Sequence, residues 1–128
     1  MNIVRVALVD GDPTIRRARQ IMLRSEGYQV RSYSTSAALL GDPASRDYPC
    51  IVLDAGVNGI DALDLIRQMR ATDWRGTAIL LAVFDPKGVL ALEAAAHGDL
   101  FFPDAVGDRT LTTAIEATTR LKMSNIRE

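Results

Sequence analysis

Apolar runs and helical spacings alternate along this chain. Ile3 to Val9 is an almost unbroken β-prone run, the pattern of a strand covered on both faces. Asp12-Pro13 then reads as a helix cap followed by proline at the first helical position, with Ile15, Ala18 and Met22 at helical spacing and Gly27 as the stop. Tyr28 to Tyr33 predicts a second strand, and Ser36 to Leu40 a short helix halted by Gly41-Asp42-Pro43. Cys50 to Leu53 predicts a third strand that delivers Asp54. Ile60, Leu63, Ile66 and Met69 mark a helix, and Ala78 to Val83 an apolar strand. Asp85-Pro86 is expected to open a helix through Ala96, and Leu100 to Phe102 a short last strand. Asp108 is expected to cap a final helix carrying Leu111, Ile115 and Leu121.

Strands alternating with helices imply a parallel sheet with helices on both faces. About five strands suit an α/β, flavodoxin-like doubly wound (βα)5 three-layer sandwich with strand order 2-1-3-4-5. Such a fold works at the carboxyl ends of its strands. The first strand ends in Asp10-Gly11-Asp12 and the third in Asp54, and that order makes the two strands neighbours. Converging carboxylates repel unless a cation joins them or one takes a proton; with Asp10, Asp12 and Asp54 expected to cluster without a certain neighbouring cation, at least one of their pKa values should rise when metal is absent. Asp12 reads most simply as a helix cap.

The 128 residues, 48% apolar and 24% charged with a net charge of −1, fit one globular domain rather than a bulk nucleic-acid binder. One cysteine and one histidine leave no disulfide, thiolate zinc site or imidazole cluster within one chain. No apolar run approaches the roughly 20 residues of a membrane span. Without a leader pattern, the expected location is cytoplasmic. Cys50 reads as a small buried side chain, and His97 and Asp99 as turn residues. The arginines at 16, 17, 19 and 24, with Arg67 and Arg70, read as solvated helix faces.

Val6-Ala-Leu-Val-Asp10-Gly-Asp-Pro-Thr-Ile-Arg16, Ile51-Val-Leu-Asp54 and Gly59-Ile-Asp-Ala-Leu63 together resemble the receiver domain of response regulators in two-component signalling. The resemblance spans Ile3 to about Leu121. It sets a receiver-like unit at 1–122, with 123–128 as a frayed tail or the start of a linker. It implies a signalling module rather than an enzyme. Asp54 would be the aspartate that accepts a phosphoryl group from a kinase phosphohistidine. Mg²⁺ would be held by Asp10, Asp54, the Gly56 carbonyl and the residue at position 11. Implied partners are a histidine kinase near the first helix and an output domain or second copy on the fourth helix, fifth strand and fifth helix. That output face would include, in part, Leu92, Ala95, Leu100, Phe101, Leu111 and Ile115, whose apolar character fits an interaction surface or an ordinary core. No membrane or direct nucleic-acid contact is implied.

The sequence departs from the family where the chemistry is concentrated. Gly11 replaces an acidic ligand, which weakens Mg²⁺ unless Asp12 substitutes. The family's hydroxyl falls on Leu81 or Ala82, neither a donor. Its lysine-proline pair falls on Phe102-Pro103 or Pro103-Asp104, without a cation; the first alignment raises a cis Phe102-Pro103 bond against the ordinary trans form. Val57-Asn58 stands for Met-Pro, and Leu100 or Phe101 for the switch aromatic. Lys87 is a candidate surrogate cation, set against its plainer reading as a solvated helix-start residue. The leading expectation is an atypical receiver that works by contacts. The alternatives are a working phospho-receiver and a flavodoxin-like small-molecule binder.

Overall fold

The computed structural model describes residues 3–56, 60–82, 86–102 and 107–126. Five parallel strands, β1 (Arg5–Val9), β2 (Gln29–Tyr33), β3 (Cys50–Gly56), β4 (Thr77–Ala82) and β5 (Leu100–Phe102), form one sheet in the order β2-β1-β3-β4-β5. Helices α1 (Pro13–Ser25), α2 (Ser36–Leu40), α3 (Ile60–Ala71), α4 (Val89–Ala96) and α5 (Asp108–Ile126) connect and cover it. Among the described residues no helix is long and apolar enough to cross a membrane.

The period of two along each strand divides the core. Ala7, Val9, Ile51, Leu53, Ala78 and Leu80 face α2, α3 and α4, packing on Leu39, Leu65, Met69 and Ala94. Val6, Leu8, Cys50, Val52, Ile79 and Leu81 face α1 and α5, packing on Leu23, Leu111 and Ile115. Both faces of the central strands are therefore apolar, and burial is what makes those runs continuous.

Local chemistry fixes the helix ends. The Asp12 carboxylate accepts from the Thr14 and Ile15 amides at 2.9 and 3.1 Å, a cap worth about 1 kcal/mol. At the other end of α1, Gly27 takes φ 94°, its amide reaches the Arg24 carbonyl, and the Tyr28 amide reaches the Leu23 carbonyl. This is the Schellman closure, in which a left-handed residue turns the chain back on the last carbonyls. The same pattern ends α3 at Asp73 (φ 70°) and α4 at Gly98 (φ 74°), setting Trp74 and Asp99 at matching positions just beyond.

Four elements differ from the sequence expectation. Pro43–Asp47 forms a 3-10 turn after the expected stop. The helix expected from Asp85-Pro86 begins at Val89, because Lys87 and Gly88 adopt left-handed backbone and Pro86–Gly88 is a separate 3-10 turn. Residues 123–126, expected as a tail, continue α5, which has no Gly or Pro to stop it. The fourth difference is the phase of α1. Its inward side chains are Arg16, Arg19, Gln20, Leu23 and the expected Met22, half-buried against the core, while Ile15 and Ile21 are 42% and 59% exposed and Ala18 is exposed.

Beside β2, the Tyr33 hydroxyl donates to Asp42 Oδ2 at 2.6 Å and Arg31 Nη1 lies 2.8 Å from the same oxygen. The Tyr33 hydrogen bond, with Arg31 and the Ala44 amide, holds the Asp42 carboxyl below its ordinary range against partial desolvation. A depressed folded-state pKa contributes stability above the unfolded value and loses it as pH falls through the folded one. Asp42→Asn should therefore lower the urea midpoint at neutral pH, and the gap from the unmodified protein should shrink below about pH 4. An equal gap at both pH values would show that ionisation of Asp42 contributes nothing.

Candidate functional site

The register of the sheet builds one row across its carboxyl edge. Val9 pairs with Leu53, Asp54 with Leu81, and Leu81 with Phe102. Asp10 follows Val9 and so stands beside Asp54. On β1, Val6 and Leu8 face α1, and Asp10 continues that set; on β3, Cys50 and Val52 do the same for Asp54. The row thus has a charged half, Asp10 and Asp54, and an apolar half, Leu81 and Phe102. Ala82 pairs with Gly56 across a shift in register, and both Leu81 and Ala82 are buried.

The charged half already has its cation. Arg19 Nη1 lies 2.9 Å from Asp10 Oδ2 and 3.2 Å from Asp54 Oδ2, bridging the two carboxylates. Arg16 Nη1 donates to the Asp10 carbonyl at 2.9 Å, and the Asp12 amide donates to Asp10 Oδ1 at 2.9 Å. Asp10 is buried, whereas a quarter of the Asp54 side chain is exposed (25%). Burial pushes the Asp10 carboxyl above its ordinary value; the Asp12 amide and Arg19 oppose the rise, and the Asp54 and Asp12 charges add to it. The expected upshift is present, but desolvation leads it and repulsion is secondary.

Arg19 and Arg16 correct the reading of the α1 arginines as a solvated face. An apolar-periodicity argument sends arginine outward by default. The available signal was the pair of carboxylates in need of a cation, with Arg16, Arg19, Gln20 and Leu23 at helical spacing on one face. Arg17 is exposed, as expected. Asp12 is committed as the α1 cap, so its carboxylate is not turned to the pair. Lys87 is exposed on left-handed backbone, and no ion pair links it to Asp54 among the described residues. Val57, Asn58, Gly59, Pro103 and Asp104 lie outside the described residues, as does the question of the Phe102-Pro103 bond.

Of the apolar set expected on an output surface or in the core, Leu111 and Ile115 are core, Leu92 and Ala95 are exposed, and Leu100 and Phe101 are half-buried. One further expectation changes. Asp99 and Arg70, read as a turn residue and a solvated arginine, form a two-pronged ion pair at the amino end of the sheet, 2.9 and 2.7 Å.

A divalent cation would find two carboxylates here, with Gly56 ending the strand beyond. Gly11 supplies no side chain, and Asp12 is engaged at the helix. Mg²⁺ asks for about six oxygens in near-octahedral array. Among the described residues no group of three or more His, Cys, Asp or Glu is placed to hold a metal ion. Two carboxylates match what Mg²⁺ usually takes from a protein beside its waters, but here Arg19 Nη1 already lies between them.

A doubly wound parallel sheet in the order β2-β1-β3-β4-β5, with an acidic pair at its carboxyl edge, places the chain among small flavodoxin-like α/β domains. The sequence matches the response regulator receiver domain family over residues 6–116, and the chain belongs to that family. It is 29% identical to the transcriptional regulatory protein FixJ of Azorhizobium caulinodans over 116 residues, covering 88% of this chain and 54% of that protein. It is 33% identical to KdpE of Mycobacterium tuberculosis over 92 residues, covering 71% of this chain and 41% of that one. The chain thus spans about half the length of such relatives. In fold it is similar to the chemotaxis protein CheY4 of Vibrio cholerae, with TM-score 0.77, 16% identity, and 91% and 99% of the two chains covered. It is also similar to TrrA of Thermotoga maritima, a structure in complex with Mg²⁺-BeF, with TM-score 0.74, 22% identity, and 91% and 99% covered.

Proposed function

We propose that this receiver domain is atypical: a protein-interaction module of a two-component pathway, with impaired phosphorylation switching and weakened Mg²⁺ binding. The observation that carries this is the row Asp10, Asp54, Leu81, Phe102. A phosphoryl group on Asp54 would meet a buried leucine beside it and a phenylalanine beyond, with Ala82 at the strand end. None of these side chains donates a hydrogen bond. Moving a two-state equilibrium from mostly off to mostly on needs roughly 5.5 kcal/mol of differential contact. Apolar side chains at these positions supply no charge-assisted contact towards it.

Its partners are then a histidine kinase or another signalling protein, and an output domain or second copy that meets α4 and β5. A cytoplasmic location and a non-enzymatic role belong to the same reading. The part-exposed Asp54 carboxylate favours a second reading, a receiver that still accepts a phosphoryl group.

The intact mass after treatment with acetyl phosphate and Mg²⁺, beside an Asp54→Ala control, separates the two. The expected result is little or no Asp54-dependent adduct and an unchanged amide-exchange pattern. A stoichiometric adduct with altered exchange around α4 and β5 would establish the second reading instead.

A further inference from the structure

The inward face of α1 opens with three polar side chains, Arg16, Arg19 and Gln20, before Leu23. Turning a long charged side chain into a protein surrenders hydration and rotamer freedom, so it persists where anions receive it. Arg19 is received by two: a single Nη1 lies 2.9 and 3.2 Å from one oxygen of Asp10 and one of Asp54, with the arginine side chain only 14% exposed. Its single positive charge is shared between the two carboxylates through one nitrogen. A magnesium ion joining the same two oxygens would sit about 2.1 Å from each. It would lie against Nη1 with like charge, and the two cannot share the position.

We infer that Arg19 takes the place of the divalent cation between Asp10 and Asp54, as a tethered counter-ion that offsets part of the pair's charge and closes the position to Mg²⁺. The inference rests on the atypical-receiver reading and deepens it. It adds a cause: the site is weak for metal because a cation is built in, and not only because Gly11 lacks a carboxylate. The two causes are separable, because Gly11 can be changed. A Cβ there would meet nothing closer than the Ser34 carbonyl oxygen at 3.9 Å, and the backbone is not left-handed.

The test titrates Mg²⁺ alone into the full chain by calorimetry, at matched ionic strength, and follows the thermal midpoint with and without the ion. The proteins are the unmodified chain, Arg19→Leu, Gly11→Asp and the double variant. Arg19→Gln repeats the arm should the leucine variant fail to fold. The unmodified chain should show no saturable binding in the millimolar range. Arg19→Leu should tighten binding at least about tenfold, roughly 1.4 kcal/mol, and its midpoint should rise with Mg²⁺. Gly11→Asp should gain less alone than in the double variant. Full gain from Gly11→Asp with none from Arg19→Leu or Arg19→Gln would overturn the tethered counter-ion and leave the atypical reading intact. Saturable, Asp54-dependent Mg²⁺ binding by the unmodified chain, together with stoichiometric labelling by acetyl phosphate, would overturn both.

Discussion

Replacing Asp99 by alanine should lower stability by about 3–5 kcal/mol, read as a fall in urea midpoint at neutral pH with an unchanged slope. Three hydrogen bonds from two elements, α3 and β4, converge on this carboxylate. Its Oδ1 accepts from the Ala78 amide at 2.9 Å and from Arg70 Nη2 at 2.7 Å, and its Oδ2 accepts from Arg70 Nη1 at 2.9 Å. The side chain is 3% exposed, so its loss leaves a half-buried guanidinium without its anion and a buried amide without its acceptor. Asp99→Asn keeps an acceptor for the amide but removes the charge, and should fall between alanine and the unmodified chain. A change under about 1 kcal/mol for the alanine variant, the size of an exposed pair, would mean that water replaces the ion pair without loss.

Trp74→Ala should cost a similar amount, about 3–5 kcal/mol. The indole is buried, and its Nε1–H donates to the Tyr48 carbonyl at 2.7 Å. Truncation leaves both a cavity and an unpaired carbonyl. The ring is pressed close to the backbone at Gly76, where a Cβ would stand 2.4 Å from it. Arg70 lies over the same ring, 5.4 Å from its centroid. Because Arg70 joins Trp74 to Asp99, the two substitutions share a partner, and the double variant should lose less than the sum of the singles. Additive losses, within about 0.5 kcal/mol, would show two independent contacts. Both residues lie at the amino end of the sheet, away from Asp10 and Asp54. Neither change should restore Mg²⁺ binding.

The fold was largely legible in the sequence because burial on both faces leaves an unbroken apolar signature on β1, β3 and β4. The convergence of Asp10 and Asp54 was legible for the same reason: each ends such a run, and strand order does the rest. The sequence left the position beside Asp54 between Leu81 and Ala82, and only the register of β3 on β4 sets Leu81 opposite Asp54. The phase of α1 could not be read either. Hydropathy assigned Ile15 and Ala18 to the interior and the arginines to water, and the structure reverses this at Ile15 and Arg19. Two carboxylates held side by side by the sheet receive Arg19, while Met22 is half-buried against the core as its spacing predicts.

Asp99 was hidden by a similar limit. Turn residues look alike in sequence, and only the closure of α4 at Gly98 shows that the next side chain is aimed at Arg70. The start of α4 was misplaced because a proline after an aspartate is a strong helix-opening signal, whereas the left-handed backbone at Lys87 and Gly88 leaves no such mark.

Cys50 has a consequence of a different kind. It is the one cysteine in the chain, it lies fully inside the sheet between β1 and β4, and burial pushes its thiol up to about 12. Thiolate is the form that reacts, and an unfolded cysteine ionises near 8.5. The folded chain therefore offers an alkylating reagent neither access nor nucleophile, and the unfolded chain offers both. The rate at which this sulfur is marked counts excursions to the open chain, so the domain carries its own gauge of how often it comes apart.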